Sequence, residues 1–177
     1  MGLDITTSSI KLIELSQSGK RYRVESYAAE PTPPSAFNER LIADINVLGH
    51  AIHRVVRSAG SKTSDVSVGI NGDVAITKVI QLPANLSARE LEGQVEIQAD
   101  QYIPFPMEEV RFDFEVMGVN ENDPDQLNVL LVATRMENVD QLQEAVESAG
   151  LKPRIIDVEP FALENAFQLL SHQIVDR

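Results

Sequence analysis

Gly2-Leu3-Asp4-Ile5-Thr6-Thr7-Ser8-Ser9-Ile10-Lys11-Leu12-Ile13-Glu14-Leu15 is the stretch that decides the fold. Residues 2–6 are short and apolar. Residues 10–15 alternate, with Ile10, Leu12 and Leu15 set among polar neighbours, as a half-buried strand does. Between them lies a hydroxyl-rich turn, with an acid at the end of the first strand and a lysine on the second. Backbone N–H groups and hydroxyls of such a turn can hold phosphate oxygens. Asp4 would orient a hydrated Mg²⁺ and Lys11 would offset phosphate charge. Read alone, the same residues are more simply an ordinary hairpin with Ser and Thr at its turn.

Working outward, a Ser18-Gly19-Lys20 turn leads to a third strand over 22–28, which Pro31, Pro33 and Pro34 bring to an end. Leu41, Ile45, Leu48, Ile52, Val55 and Ala59 recur at three- and four-residue steps and predict a helix over 38–59, stopped by Gly60. Apolar runs at 66–70 and 74–82 flank Asn71-Gly72, which reads as a hairpin turn. Ser87 and Glu90 form a capping box that opens a helix running to about residue 102, with Pro104 and Pro106 beyond it. Strands follow at 112–119 and 127–134, separated by a polar, turn-rich stretch over 120–126. Thr134 and Glu137 make a second capping box for a helix whose face is Val139, Leu142, Val146 and Ala149 and whose stop is Gly150. A strand over 154–158 and an amphipathic helix over 161–170 complete the order. The pattern is α/β in two lobes: residues 1–73 with 151–177 as a discontinuous first unit, and 74–150 as an inserted α+β module.

Composition narrows the function classes. The 177 residues are 43% apolar and 24% charged, enough for a real core. No apolar run approaches the roughly 18 residues that span a bilayer, and no signal-peptide pattern opens the chain. With no cysteine, a disulfide framework, a thiolate metal site and a Cys nucleophile are excluded. A net charge of −12 argues against nucleic acid and against direct binding to anionic membrane surfaces. No Gly-x-Ser-x-Gly elbow is present. His50 and His53 share a helix face but have no third ligand nearby in sequence, so a solvated face is the simpler reading. His172 is expected to be exposed. Glu108, Glu109, Asp113 and Glu115 read as solvated acids beside a turn and along a strand. No catalytic or metal-binding set emerges.

Two further stretches join the first in a resemblance: Gln98-Ala99-Asp100-Gln101-Tyr102-Ile103-Pro104-Phe105-Pro106 and Asp157-Val158-Glu159-Pro160-Phe161-Ala162-Leu163-Glu164-Asn165-Ala166. The opening loop resembles the first phosphate loop of the actin-like ATPases, and the last stretch resembles the strand-to-helix junction that closes their first domain. Taken together over nearly the whole chain, the sequence resembles the PilM family of type IV pilus-assembly proteins, relatives of the cell-division protein FtsA. The resemblance implies an actin-like, ribonuclease H-like first domain carrying the inserted subdomain of that group. It implies a non-enzymatic scaffold at the cytoplasmic face of the inner membrane, reaching the membrane only through a partner and meeting other pilus motor and alignment proteins. The partner implied is the short N-terminal cytoplasmic tail of PilN, held in a groove between the two lobes, with Val68, Ile70, Gln98, Tyr102, Ile103 and Phe105 as candidate groove residues. Packing of Tyr102-Ile103-Pro104-Phe105-Pro106 as a helix stop is the alternative. In the full-length protein, ATP and Mg²⁺ would be held by Asp4, Thr6, Thr7, Ser8, Lys11 and Glu159.

Two departures stand out. Thr6 occupies a position where actin-like ATPases usually carry glycine, and a side chain there obstructs close approach of phosphate to backbone. No second phosphate loop or adenosine-binding glycine pair occurs before Arg177, so the chain is expected to stop at a domain boundary, without the second domain and without bound nucleotide. Phe161, Leu163, Ala166, Phe167 and Leu170 cluster on the last helix and are expected to leave an apolar surface that drives self-association. The rival readings are a type II secretion L-type cytoplasmic domain and a fragment of an actin-like ATPase or sugar-kinase-like phosphotransferase.

Overall fold

The computed structural model describes residues 1–19 and 21–174, and side chains through residue 169; Lys20, Leu170 and His172 therefore lie outside the described side chains. Among the described residues, ten strands and four α-helices divide into two compact units, Met1–Gly72 with Asn138–Arg177 and Asp73–Glu137.

The first unit is built on a five-stranded mixed sheet. Its strands in chain order are β1 (Gly2–Ile5), β2 (Ser9–Ser18) and β3 (Arg21–Pro31). A two-stranded ribbon, β4 (Phe37–Asn38) and β5 (Leu41–Ile42), leads to α1 (Ile45–Ala59) and β6 (Asp65–Ile70). Period-two alternation places Leu3, Ile5, Ile10, Leu12, Val66, Val68 and Ile70 on one buried face. The apolar stripe of α1, with Leu48, Ala51, Ile52 and Val55 buried, packs against β2 and β3. Helix α1 begins at Ile45, later than its periodicity predicts. The side chain of Asp44 accepts the Val47 N–H at 2.9 Å and fixes the N-terminus there, while residues 37–42 form the ribbon. Gly60 ends the helix in the left-handed region, at φ 65°, as its position after the apolar stripe foretold.

The second unit contains β7 (Ala75–Pro83), α2 (Ala88–Tyr102), β8 (Val110–Asn120) and β9 (Asp123–Arg135), with sheet order β7-β9-β8. Asn71-Gly72 is not a hairpin. β6 and β7 belong to different sheets, a 3₁₀ turn spans Gly72–Val74, and neither Asn71 nor Gly72 takes the positive φ that a tight hairpin needs. The hairpin of this unit lies instead between Asn120 and Asp123, which pair across the turn; the Asn122 N–H donates to the Asn120 side chain at 2.8 Å. The Ser87–Glu90 capping box forms as expected, with both reciprocal bonds present. Leu91, Val95 and Ala99 of α2 join Ile80, Leu82, Val110, Val129, Leu131 and Ala133 in the core of the unit.

Three more elements close the first unit: α3 (Met136–Ser148), β10 (Lys152–Val158) and α4 (Glu159–Ile174). The strand order is β10-β6-β1-β2-β3, with β1, β6 and β10 mutually parallel. Thr134 sits in β9, and its hydroxyl donates to the Val74 carbonyl at 2.7 Å. The expected module boundary at residue 150 also shifts, since α3 groups with the first unit. The reason is close packing on α1: a Cβ placed on Gly49 would lie 3.1 Å from the Ala145 carbonyl oxygen and overlap the Ser148 Oγ.

That contact yields a stability forecast. Gly49→Ala gains about 1 kcal/mol of helix propensity, but overpacking costs about 1–3 kcal/mol, so a lower melting temperature is expected. Gly93→Ala in α2, where nothing lies within 4 Å of the added Cβ, is expected to stabilise by about 0.5–1 kcal/mol. Denaturant unfolding of the two variants checks both signs.

Candidate functional site

The hydroxyl-rich turn between β1 and β2 is closed on itself. The Thr6 N–H donates to the Ser9 carbonyl at 2.9 Å. The Ser9 and Ser8 N–H groups donate to Thr6 Oγ1 at 3.0 and 3.4 Å, and Thr6 Oγ1 donates to the Ser9 carbonyl at 2.9 Å. Thr32, buried at the end of β3, clamps the turn from the side. Its hydroxyl donates to the Thr6 carbonyl at 2.7 Å and its N–H to the Ser8 carbonyl at 3.1 Å. The Thr6 hydroxyl thus engages the backbone N–H groups of Ser8 and Ser9 within the turn. Thr7 and Ser8 are exposed.

Asp4 and Lys11 are cross-strand partners, and Lys11 Nζ donates to Asp4 Oδ2 at 2.8 Å. The Asp4 hydrogen bond, and then its charge, hold the Lys11 ammonium above its usual pKa; Tyr27 and Glu159 add smaller contributions in the same direction. Glu159 opens α4 directly after β10, and its Cγ packs over Gly69, where an added Cβ would lie 3.1 Å away. Asp4, the turn and Glu159 therefore gather at the carboxyl ends of parallel strands, the edge at which open α/β sheets place ligands. Of the expected nucleotide residues, all six lie at this end of the first unit. Thr32 and Gly69, which shape it, were missed. Thr32 sits within a Pro31–Pro34 run that reads only as a strand stop, and Gly69 sits within an apolar strand.

The expected groove residues divide between the units. Val68 and Ile70 are in the first, where alternation turns their side chains into the sheet core on an interior strand. This corrects their reading as groove walls. In the second unit Ile103 is only 5% exposed and belongs to the core, which corrects its reading as an anchor: its N–H continues α2 by donating to the Ala99 carbonyl at 2.9 Å. Tyr102 and Phe105, at 43% and 37%, remain accessible, and Gln98 is half-buried. Each ring lies beside a cation, Lys78 Nζ at 5.1 Å from the Tyr102 centroid and the Arg135 guanidinium at 5.6 Å from that of Phe105. Arg135 also lies 3.6 Å from Glu137 and 3.9 Å from Glu109. The two aromatic residues are thus held in place while one side of each stays open to solvent.

The histidines His50 and His53 lie on the exposed face of α1, and Glu108, Glu109, Asp113 and Glu115 are exposed as well. Among the described residues, no three His, Cys, Asp or Glu side chains are grouped to hold a metal ion. No helix among them is long and apolar enough to cross a membrane.

Comparison with known proteins places this fold. The family described as type IV pilus assembly protein PilM matches residues 2–177. A solved structure described as the PilM-PilN type IV pilus biogenesis complex is similar at 32% identity and a TM-score of 0.82. The match covers 91% of this chain and 47% of that one, so the chain spans about half the length of the solved chain. The cytoplasmic domain of EpsL, an inner membrane component of the type II secretion system of Vibrio cholerae, matches at 15% identity and a TM-score of 0.56. That match covers 88% of this chain and 56% of EpsL's, and it reflects shared fold alone. The actin-like α/β fold expected from the sequence is the fold found, and the chain belongs to the type IV pilus assembly protein PilM family.

Proposed function

We propose that the chain is a scaffold of type IV pilus assembly that holds the short N-terminal cytoplasmic tail of a PilN-type inner-membrane protein. The observation that carries this reading is the similarity to the PilM-PilN complex across 91% of the chain. The accessible rings of Tyr102 and Phe105 support it. Groove recognition concentrates binding energy in a few aromatic or apolar anchors surrounded by contacts that matter less. In this reading the protein is not an enzyme, lies at the cytoplasmic face of the inner membrane, and reaches the bilayer through its partner and other pilus motor and alignment proteins.

Nucleotide belongs to the longer protein in this proposal. Asp4, Lys11 and Glu159 supply the charges for ATP with Mg²⁺, and Thr6, Thr7 and Ser8 supply hydroxyls. The closed Thr6 turn opposes phosphate binding by this chain, because each donor taken from Thr6 Oγ1 must be replaced before a phosphate gains anything. Calorimetry with Mg-ATP is expected to give no binding in the micromolar range. A micromolar dissociation constant would mean that the turn opens at little cost.

The partner reading is tested with a synthetic peptide of the partner's cytoplasmic tail. Phe105→Ala is expected to weaken binding by roughly 30- to 1000-fold, which corresponds to the about 2–4 kcal/mol typical of such anchors. The same change is expected to leave the melting temperature nearly unaltered, since the ring is accessible. Ile103→Ala should do the reverse: it removes a core side chain and is expected to cost about 2–5 kcal/mol of stability. Peptide affinity and melting temperature are measured on both variants. Unchanged affinity in folded Phe105→Ala removes this residue from the site, and no binding by the parent chain overturns the reading.

A further inference from the structure

Asn71-Gly72 has hairpin chemistry, forms no hairpin, and belongs neither to the hydroxyl-rich turn nor to the aromatic pair. Its place in the chain is the end of β6. Asn71 lies after the last residue of that strand and before the 3₁₀ turn that opens at Gly72, so neither element's hydrogen-bond pattern includes it. Both residues are half-buried and reached by water. Gly72 is the first residue of its turn, and the N–H of a helix's first residue has no acceptor within that helix.

An asparagine followed by glycine has a second chemistry. The backbone nitrogen of the next residue can reach the side-chain carbonyl carbon and close a cyclic imide. A Cβ on that next residue crowds the approach, and glycine has none. No other asparagine in the chain precedes a glycine; Asn38, Asn85, Asn120, Asn122 and Asn128 are followed by Glu39, Leu86, Glu121, Asp123 and Val129.

We propose that Asn71 is a self-modifying site, which the folded chain converts to aspartate and isoaspartate with water as co-reactant. The Gly72 N–H gives its proton to solvent hydroxide, and the nitrogen attacks Asn71 Cγ. The new N–Cγ bond forms as the Cγ–Nδ2 bond breaks, and Nδ2 leaves as ammonia with a proton taken from water. Water then opens the imide. Cleavage of the new N–Cγ bond gives aspartate. Cleavage on the main-chain side gives isoaspartate, whose backbone runs through the side chain and is longer by one methylene. Either product bears a carboxyl that ionises far below neutral pH, at about 3.9 for aspartate, and so adds one negative charge to a chain already at −12.

The lengthened backbone falls where it is least tolerated. Gly72 packs against the first turn of α4, so closely that an added Cβ would lie 2.9 Å from Pro160 Cγ. Glu159 packs over Gly69 just upstream. With an extra methylene at position 71, Gly72 cannot keep both its contact with Pro160 and its link to β6. The modification therefore loosens the start of α4.

The folded chain is incubated in mildly alkaline buffer, sampled over time and mapped by peptide mass spectrometry, with isoaspartate detected by enzymatic methylation. An unfolded peptide of residues 67–76 is aged in parallel. The expected result is a first acidic species, richer by one negative charge, that maps to Asn71. The aged parent should melt lower than the fresh protein by about 2–4 °C. Asn71→Gln, whose longer side chain closes the ring poorly, should lose this species and keep its melting temperature on ageing; if that variant does not fold, mapping of the parent decides alone. Asn71 that stays intact in the folded chain while the peptide converts overturns the proposal, and so does a first conversion at Asn122 or any other asparagine. Conversion at Asn71 with no change in melting temperature overturns the loosening of α4.

Discussion

The approach of α3 to α1 at Gly49 is the constraint on which the first unit depends. The glycine has no side chain, so the Ala145 carbonyl and the Ser148 side chain of α3 come within van der Waals reach of the α1 backbone. This contact holds together segments about a hundred residues apart in sequence. With α3 fixed there, the chain must return through β10 to pair with β6. Everything from Asp73 to Glu137 is thereby left to form a core of its own, and it does: Ile80, Leu82, Leu91, Val95, Val129 and Leu131 bury one another.

Polar groups follow the same economy. The β1–β2 turn satisfies its donors internally through Thr6, and Thr32 caps it from the neighbouring strand. On β2, the Glu14 carboxylate accepts from the Thr63 and Ser26 hydroxyls at 2.6 and 3.3 Å. The Thr63 hydrogen bond is the largest cause holding its pKa below the usual range, followed by that of Ser61. A protein whose loops are pinned in this way presents stable surfaces, and stable surfaces suit a scaffold: pre-organisation lowers the entropy lost when a partner docks.

Apolar exposure is distributed unevenly in the same sense. The inner sheet face and the core of the second unit are closed. Tyr102 and Phe105 in one unit, and the outer sheet face with α4 in the other, remain open. Exposed apolar surface costs solubility, and contiguous patches of it mark contact sites more often than they mark neglect.

The sequence by itself determined the secondary structure wherever one local rule acts alone. The Ser87–Glu90 box, the Gly60 stop and the stripe of α1 from Leu48 to Val55 depend on neighbours within a few residues, and each forms as its pattern dictates; the alternation of residues 10–15 buries Ile10 and Leu12, and a bulge between Glu14 and Leu15 leaves Leu15 exposed. The family, too, was legible in residues 2–15, 98–106 and 157–166. Tertiary structure decided the cases in which a local signal competed with a distant partner. Asn71-Gly72 has hairpin chemistry, but β6 pairs with β1 and β10 while β7 pairs with β9, so no hairpin can form there. Ile103 and Phe105 read alike as apolar residues after a helix. Only the packing of α2 on its sheet buries one and leaves the other accessible, because burial is a property of what lies opposite a side chain, and a linear sequence does not carry that.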